Sequence, residues 1–196
     1  MRIWAKFSAV CLGLILEIGS ACASPNYFPP GFDSRAIQVW DGISKKMISL
    51  VELVSEPSLF ELRGRTAPEV YRILVSGRES LPVVMRIQIA SDGSCFFYFR
   101  RGIYGERQLV PDVKMKKLES NKGSSVREIF TKANFWELPS SRHAAMDDGN
   151  TFMIEALRDG KYHAISRTGV DERLLDIFYR FAEEADFFRI GPRRIY

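Results

Sequence analysis

Cysteine and histidine are scarce in this chain, and their spacing excludes several kinds of site. The 196 residues include three cysteines and two histidines. Neither residue type recurs at the short spacings typical of zinc ligands, so we expect no metal site. Cys11 and Cys22 lie near the N-terminus, and Cys95 stands alone within an aromatic run. A disulfide framework is therefore not expected, and we predict that Cys95 is a buried structural thiol.

The chain also lacks the motifs of common catalytic and nucleotide-binding sites. It contains no GxSxG nucleophile motif, no glycine-rich phosphate loop and no dinucleotide fingerprint, and we expect no cofactor. The formal net charge is only +4, and no nucleic-acid-binding module is recognisable, so nucleic acid is not an expected partner.

Basic residues gather in two clusters. These are Lys114, Lys116 and Lys117, and Arg189, Arg193 and Arg194. We interpret both clusters as solvated surfaces, with attraction to an anionic envelope surface as the alternative.

The N-terminus has the pattern of a signal peptide, which we assign to residues 1–23. Arg2 and Lys6 precede a largely apolar stretch of ten residues, 7–16, which is too short to span a bilayer. Ala21-Cys22-Ala23 then offers a small-x-small cleavage site, and cleavage after Ala23 predicts a periplasmic or secreted protein. The alternative is a membrane-anchored lipoprotein, acylated on Cys22. We expect no transmembrane span after processing.

The rest of the chain reads as one domain. Residues 24–32 form an extended tether because three prolines in SPNYFPPG exclude a helix. Residues 33–188 form a single α+β domain that opens with a helical stripe over 36–54, and Pro57 ends this helix. Pro57 to Leu62 is expected to add a short helical turn. Residues 189–196 form a basic tail.

Alternating apolar and polar residues predict a four-stranded antiparallel meander. Its strands lie at Val70–Val75, Val83–Ile89, Cys95–Arg100 and residues 107–118. Asp92-Gly93 predicts a tight turn between the second and third strands.

Two helices and a hairpin follow the meander. Ser125-Val126-Arg127-Glu128 has the form of a capping box and predicts a helix start at Ser125. This helix leads to Phe135-Trp136, which we interpret as a core plug. A hairpin joins Thr151–Leu157 to Lys161–Arg167, and apolar residues at threes and fours after Asp171 predict a last helix on the sheet. The expected fold is α+β, an antiparallel sheet of a meander plus a C-terminal hairpin, with helices packed on one face.

Two registers of the hairpin are possible. A two-residue loop, Asp159-Gly160, pairs Arg158 with Lys161 and places Glu155 and His163 on opposite faces. A three-residue loop, 158–160, pairs Glu155 with His163. The second register collects Phe152, Ile154, Ala156, Tyr162 and Ala164 on one face and Glu155, Lys161 and His163 on the other. Because a buried face selects for such sorting, we expect the three-residue loop.

The facing Glu155 and His163 are the candidate catalytic pair, since a carboxylate beside histidine can make a general base. Asp148 is a further candidate, and Lys161 and Arg167 are candidate binding residues. The competing interpretation, which we favour, is a cross-strand ion pair on an exposed sheet face.

Several segments resemble a group of uncharacterised bacterial proteins. The segments are LVELVSEPSLFEL from Leu50, YRILV from Tyr71, FWELP from Phe135, DG with IEA at 148–156, and GKYHAISR from Gly160. The group shares FWxLP, DGxxWxxEG and GxYHxxxRW in this order, and the resemblance covers residues 50 to 180. The chain departs from the pattern at Phe152, Ala156 and Thr168.

The resemblance implies no catalytic residue, because the group has no known activity. It marks six positions: Trp136, Asp148, Glu155, Tyr162, His163 and Arg167. We therefore expect an exported, non-catalytic domain that binds another macromolecule in the envelope or outside the cell. The alternative is a small hydrolase that uses His163 and Glu155.

Overall fold

Seven strands form one sheet in the part of the chain that the computed structural model describes, which is residues 57–64, 68–76, 83–101, 114–142, 151–168 and 172–185. The strands are β1 (Glu69–Ser76), β2 (Val83–Ile89), β3 (Cys95–Arg101), β4 (Lys114–Leu118), β5 (Ser141–Arg142), β6 (Thr151–Arg158) and β7 (Lys161–Thr168). Their order across the sheet is β4-β3-β2-β1-β6-β7-β5. Neighbouring strands are antiparallel except β5, which runs parallel to β7. The expected meander is confirmed, and β6 extends it by pairing with β1.

In the described residues, two α-helices cover one face of this sheet, called here the helix face. They are α1 (Lys122–Lys132) and α2 (Glu172–Glu184). Their buried side chains join those of alternate strand residues in one core cluster, for example Phe130 with Tyr71 and Phe178 with Phe152. The α+β class with helices on one face is therefore confirmed. None of the helices in the described residues is long and apolar enough to cross a bilayer.

The two-residue period of β2 and β3 places their apolar residues against the helices. Met85, Ile87, Phe97 and Phe99 are fully buried there, while the residues between them are only partly buried. Cys95 is also buried, as expected. The Asp92-Gly93 turn is confirmed: Gly93 has φ 81°, and the Asp92 carboxylate accepts the Ser94 N–H at 2.8 Å.

The other face, called here the outer face, is covered over β1 and β6 by the segment Pro57–Gly64. Leu59 is buried there against Val70 and Leu157. The segment turns through backbone hydrogen bonds from Leu62 N to Leu59 O and from Arg63 N to Phe60 O, in agreement with the expected turn. Residues 152 to 157 of β6 are all buried, so this strand is shielded on both faces.

The predicted start of the helix at Ser125 is wrong. Helix α1 begins at Lys122, and its N-cap residue, Asn121, makes no side-chain capping bond. Gly123 packs closely on Ile89, where an added Cβ would lie 3.3 Å from the Ile89 side chain. The helix thus begins one turn before the local capping signal, at a point where only a glycine fits beside Ile89 without displacing it.

The expected hairpin register is also wrong. Arg158 pairs with Lys161, so the loop has two residues, and Glu155 pairs with Ala164 rather than His163. Asp159 and Gly160 have φ 51° and 72°, the left-handed values that a two-residue hairpin turn requires and that Asp-Gly favours. Sorting of apolar from polar residues could not select the register, because both faces of β6 are buried.

Several expectations lie outside the described residues. These are the signal peptide, the tether, the stripe over 36–54, residues 107–113, Asp148 and the basic tail.

Candidate functional site

On the outer face, Glu155 is the centre of a buried hydrogen-bonded network. Its Oε2 accepts a hydrogen bond from Arg72 Nε at 2.7 Å and lies 2.7 Å from Arg72 Nη2 in an ion pair, and its Oε1 accepts a hydrogen bond from Tyr162 Oη at 2.8 Å. The side chains of Arg72 and Glu155 are 0% exposed. Both carboxylate oxygens are thus engaged within the protein, and the network is a buried ion pair with a tyrosine attached.

Strand pairing brings these residues together. Arg72 on β1 is directly opposite Glu155 on β6, and Tyr162 lies on the same face of β7. The network also holds the covering segment, because Arg72 Nη1 donates to the Pro57 carbonyl at 2.8 Å. Phe60 packs edge-on against the Tyr162 ring, with centroids 5.5 Å apart. The ion pair therefore joins two strands and fastens the segment that shields it.

On the helix face, His163 and Arg167 hold the segment that follows α1. His163 Nε2 donates to the Leu138 carbonyl at 2.9 Å, and Arg167 Nη2 donates to the Pro139 carbonyl at 2.5 Å. The Ser166 N–H adds a bond to the Ser140 carbonyl at 2.8 Å. We call residues 135–142, with these three contacts, the strap.

The chain reaches the strap through a reversal at Asn134. This residue has φ 50°, a left-handed conformation that asparagine tolerates, and it ends the turn after α1. Phe135 is then fully buried, while Trp136 is partly buried against the core, so the expected core plug is confirmed for Phe135.

The environment of His163 keeps its imidazole neutral. Burial lowers the pKa of His163 below its usual value and Arg167 adds to the effect, whereas the Leu138 carbonyl and Glu137 oppose it. The ring packs edge-to-face on Phe135, with centroids 5.1 Å apart. With Nε2 donating to a carbonyl, this histidine serves as a structural fastener.

The predicted site is therefore divided between two faces. Glu155 lies on the outer face and His163 on the helix face, so the expected general-base pair does not form. Arg167 is 5% exposed and binds the strap, and Lys161 is exposed at the start of β7. In the described part of the chain, no three His, Cys, Asp or Glu side chains converge as a metal site would require.

Arg72 is the important residue that the sequence reasoning missed. Its signal was present in the strand EVYRILVS, where Arg72 directly precedes the apolar run Ile73–Val75. A cation inside such a run predicts a buried partner, because an unpaired buried charge is strongly unfavourable. The sequence could not show that this partner is Glu155, 83 residues away.

Five of the six positions marked by the resemblance fall into these two clusters, and the sixth, Asp148, lies outside the described residues. Glu155 and Tyr162 belong to the outer-face network, and Trp136, His163 and Arg167 belong to the strap.

A third polar cluster fixes α1 on the sheet. Glu69 Oε2 accepts a hydrogen bond from Arg127 Nε at 2.8 Å and forms an ion pair with Arg127 Nη2 at 2.7 Å, and Glu69 Oε1 accepts a hydrogen bond from the Tyr71 hydroxyl. Burial, and then the neighbouring carboxylate, raise the pKa of Tyr71 well above its ordinary value. This tyrosine therefore stays protonated and acts as a donor.

Comparisons with family models and with curated protein sequences do not place the chain in a known family. No protein-family model matches the chain, and no curated protein sequence matches it. The function must be inferred from the sequence and from these contacts.

Proposed function

We propose that this protein is an exported, non-catalytic domain that binds another macromolecule in the cell envelope or outside the cell. The observation that carries the proposal is the separation of Glu155 and His163 on opposite faces of the hairpin. A general base needs a free acceptor atom within reach of a substrate proton. Glu155 is instead enclosed by Arg72 and Tyr162, so its carboxylate oxygens are occupied and it cannot assist His163 on the other face.

Export is the second part of the proposal and rests on the N-terminal pattern. A basic start, a short apolar stretch and small residues before Ser24 follow the order of a secretory signal. The intact mass of the protein recovered after expression in an exporting bacterial host tests this directly. A mass that corresponds to a chain beginning at Ser24 supports a freely released domain. A mass that corresponds to a chain beginning at a lipidated Cys22 supports the anchored alternative. Retention of residues 1–23 would contradict export.

Binding is tested by photo-crosslinking in the envelope of the source cells. A photoreactive amino acid is placed at Met115, the most exposed large apolar residue in the described part of the chain, and a control probe is placed at Lys161. We expect an adduct from position 115 that excess unlabelled protein competes away. An adduct that does not saturate, or that forms equally from position 161, would count against a specific partner.

Catalysis is tested separately with the processed protein. A hydrolytic activity lost in His163→Asn, with the melting temperature unchanged, would contradict the non-catalytic assignment.

A further inference from the structure

Three apolar side chains on the outer face are buried in a row that crosses the sheet. Leu74 of β1 pairs with Val84 of β2 on one side and with Met153 of β6 on the other, and their exposed fractions are 1%, 3% and 1%. Their neighbours along the strands, such as Ile73, belong to the helix-face core, so these three lie on the outer face. In the described residues, neither the helix-face core nor the cluster around Leu59 includes them. The row therefore needs a further element above it, because protein interiors contain few voids.

The buried part of this row is three strands wide. Arg100 on β3 pairs with Val84, Ser166 on β7 pairs with Met153, and both of these end residues are only half-buried. Since neighbouring strands lie about 4.8 Å apart, the buried centre extends over about 10 Å. A row that is buried at its centre and half-exposed at both ends indicates one narrow element that lies across it.

The described chain enters the outer face beside this row. The segment Pro57–Gly64 begins at Arg72, whose Nη1 donates to the Pro57 carbonyl at 2.8 Å. It ends at the β6–β7 turn, where the Gly64 N–H donates to the Gly160 carbonyl at 3.1 Å. The segment thus runs along β1 away from Leu74. The residues that precede Pro57 therefore reach the outer face from the side on which the buried row lies.

The sequence before Pro57 supplies an apolar stripe of suitable length. Its apolar residues recur at threes and fours and are Ile43, Met47, Leu50, Val51 and Val54. A helix over 43–54 would be about 18 Å long at 1.5 Å per residue, which is enough to cross the buried row. Only residues 55 and 56 separate the stripe from Pro57, so its end lies within about 11 Å of that residue.

Other segments outside the described residues match the row less well. Residues 102–113 contain two glycines and a proline, and residues 186–196 contain the adjacent Gly191 and Pro192. Glycine and proline disfavour a helix interior, so neither segment predicts an uninterrupted apolar helix. The remaining gaps between the described ranges are shorter than these.

We propose that residues 43–54 dock as a helix on the outer face, over Leu74, Val84 and Met153. The sheet then has helices on both faces, and this part of the outer face is closed to a partner. Met115 lies on the same face, two strands beyond Val84, and its 64% exposure keeps it open to one. The inference goes beyond the proposed function and does not rest on it, because it concerns a contact within the chain.

A photoreactive amino acid at Leu50 of the processed protein, compared with one at Lys45, tests the docking. We expect light to produce an adduct within one chain that joins position 50 to a peptide containing Leu74, Val84 or Met153. Position 45 should give at least about fivefold less of it, because it lies about 140° from position 50 around a helix. Adducts from position 50 that map only to other segments, or equal yields from both positions, would overturn the inference. So would an adduct between two chains, since a second copy would then occupy the row.

A thiol at position 84 reports whether the row is covered. Val84→Cys is treated with Ellman's reagent in native buffer, and the buried Cys95, in the helix-face core, is the internal control for an intact sheet. We expect slow labelling at both positions. Adding Leu50→Asp should speed labelling at position 84 at least about tenfold and leave Cys95 slow, because an aspartate against the apolar row favours the undocked stripe. Ser49→Asp, outside the stripe, makes the same change of charge and should leave both rates unchanged.

The labelling rates also define the results that contradict docking. Rapid labelling at position 84 without a second substitution, or equal rates in Leu50→Asp and Ser49→Asp, would overturn the inference. If Leu50→Asp also makes Cys95 reactive, the sheet has unfolded, and Leu50→Ala takes its place with faster labelling at position 84 alone still expected. Docking and the proposed function fail separately, since a competed adduct from Met115 supports a partner whether or not the stripe docks.

Discussion

Replacing Glu155 by glutamine should strongly destabilise the protein, although the two side chains have nearly the same shape. Glu155 is the counter-charge of Arg72, and both side chains are 0% exposed. Glu155→Gln removes the carboxylate with which Arg72 forms this buried ion pair, and the Pro57 carbonyl that accepts from Arg72 Nη1 is neutral. Breaking a buried pair by removing one partner costs about 3–5 kcal/mol.

The corresponding thermal shift is large for a chain of this size. A domain of 150–250 residues loses roughly 2–4 °C of melting temperature per kcal/mol, so a loss of about 3–5 kcal/mol lowers it by roughly 6–20 °C. Urea denaturation followed by circular dichroism gives the free energy of unfolding, and an unchanged m-value shows that the comparison is valid. Asp176→Asn, in the exposed pair with Arg180 on α2, is the control and should cause no resolvable change.

A double variant separates the charge pair from the shape of the site. The double variant Arg72→Met/Glu155→Leu removes both charges of the pair. Its loss in free energy of unfolding should be smaller than the sum of the losses in Arg72→Met and Glu155→Leu alone, because each single variant leaves one charge of the pair without the other. The reasoning is refuted if Glu155→Gln unfolds within about 0.5 kcal/mol of the parent, or if the two single effects are additive.

Three further predictions concern His163, the hairpin turn and Cys95. The pKa of His163 is lowered from its ordinary value of 6.5, so its contribution to stability is present above pH 6.5 and decreases as the pH falls below that value. Urea titrations at several pH values should therefore show that the free energy of unfolding depends less on pH in His163→Asn than in the parent. An unchanged pH dependence would contradict the assignment. Gly160→Ala places a side chain at φ 72° and should lower the free energy of unfolding by about 1–2 kcal/mol, whereas Asp159→Asn should have little effect; equal losses would argue against the two-residue turn. Cys95 is fully buried and burial raises its pKa, so Ellman's reagent should label it only as fast as the protein unfolds, and rapid labelling of the folded protein would disprove its burial.

Local patterns were sufficient for most of the described strands. In β2 and β3 the apolar residues alternate with polar or half-exposed ones, so Val83–Ile89 and Cys95–Arg100 could be placed within one residue. The Asp92-Gly93 turn was also predictable, because it depends on the conformations open to those two residues. Strand β5 was missed because two residues, Ser141 and Arg142, form no pattern.

The sequence indicated which residues belong to the candidate site, but it did not indicate which partners they contact. Glu155, His163 and Arg167 do make specific polar contacts, yet none of the partners could be read from their spacing. Arg72 and the Leu138 carbonyl lie 83 and 25 residues from their partners. Contacts over such distances depend on strand order, which short sequence patterns do not encode.

The sequence by itself determined the α+β class, the positions of β1, β2, β3, β6 and β7, the burial of Cys95, and the presence of α1 and α2. Each of these follows from periodicity and burial within a short window. Only the tertiary structure decided the register of the β6–β7 hairpin, and with it the separation of Glu155 from His163. The physical reason is that β6 is buried on both faces, with α2 packed on one and the segment Pro57–Gly64 packed near Leu157 on the other. An ion pair with Arg72 is therefore buried where the sequence pattern predicted water.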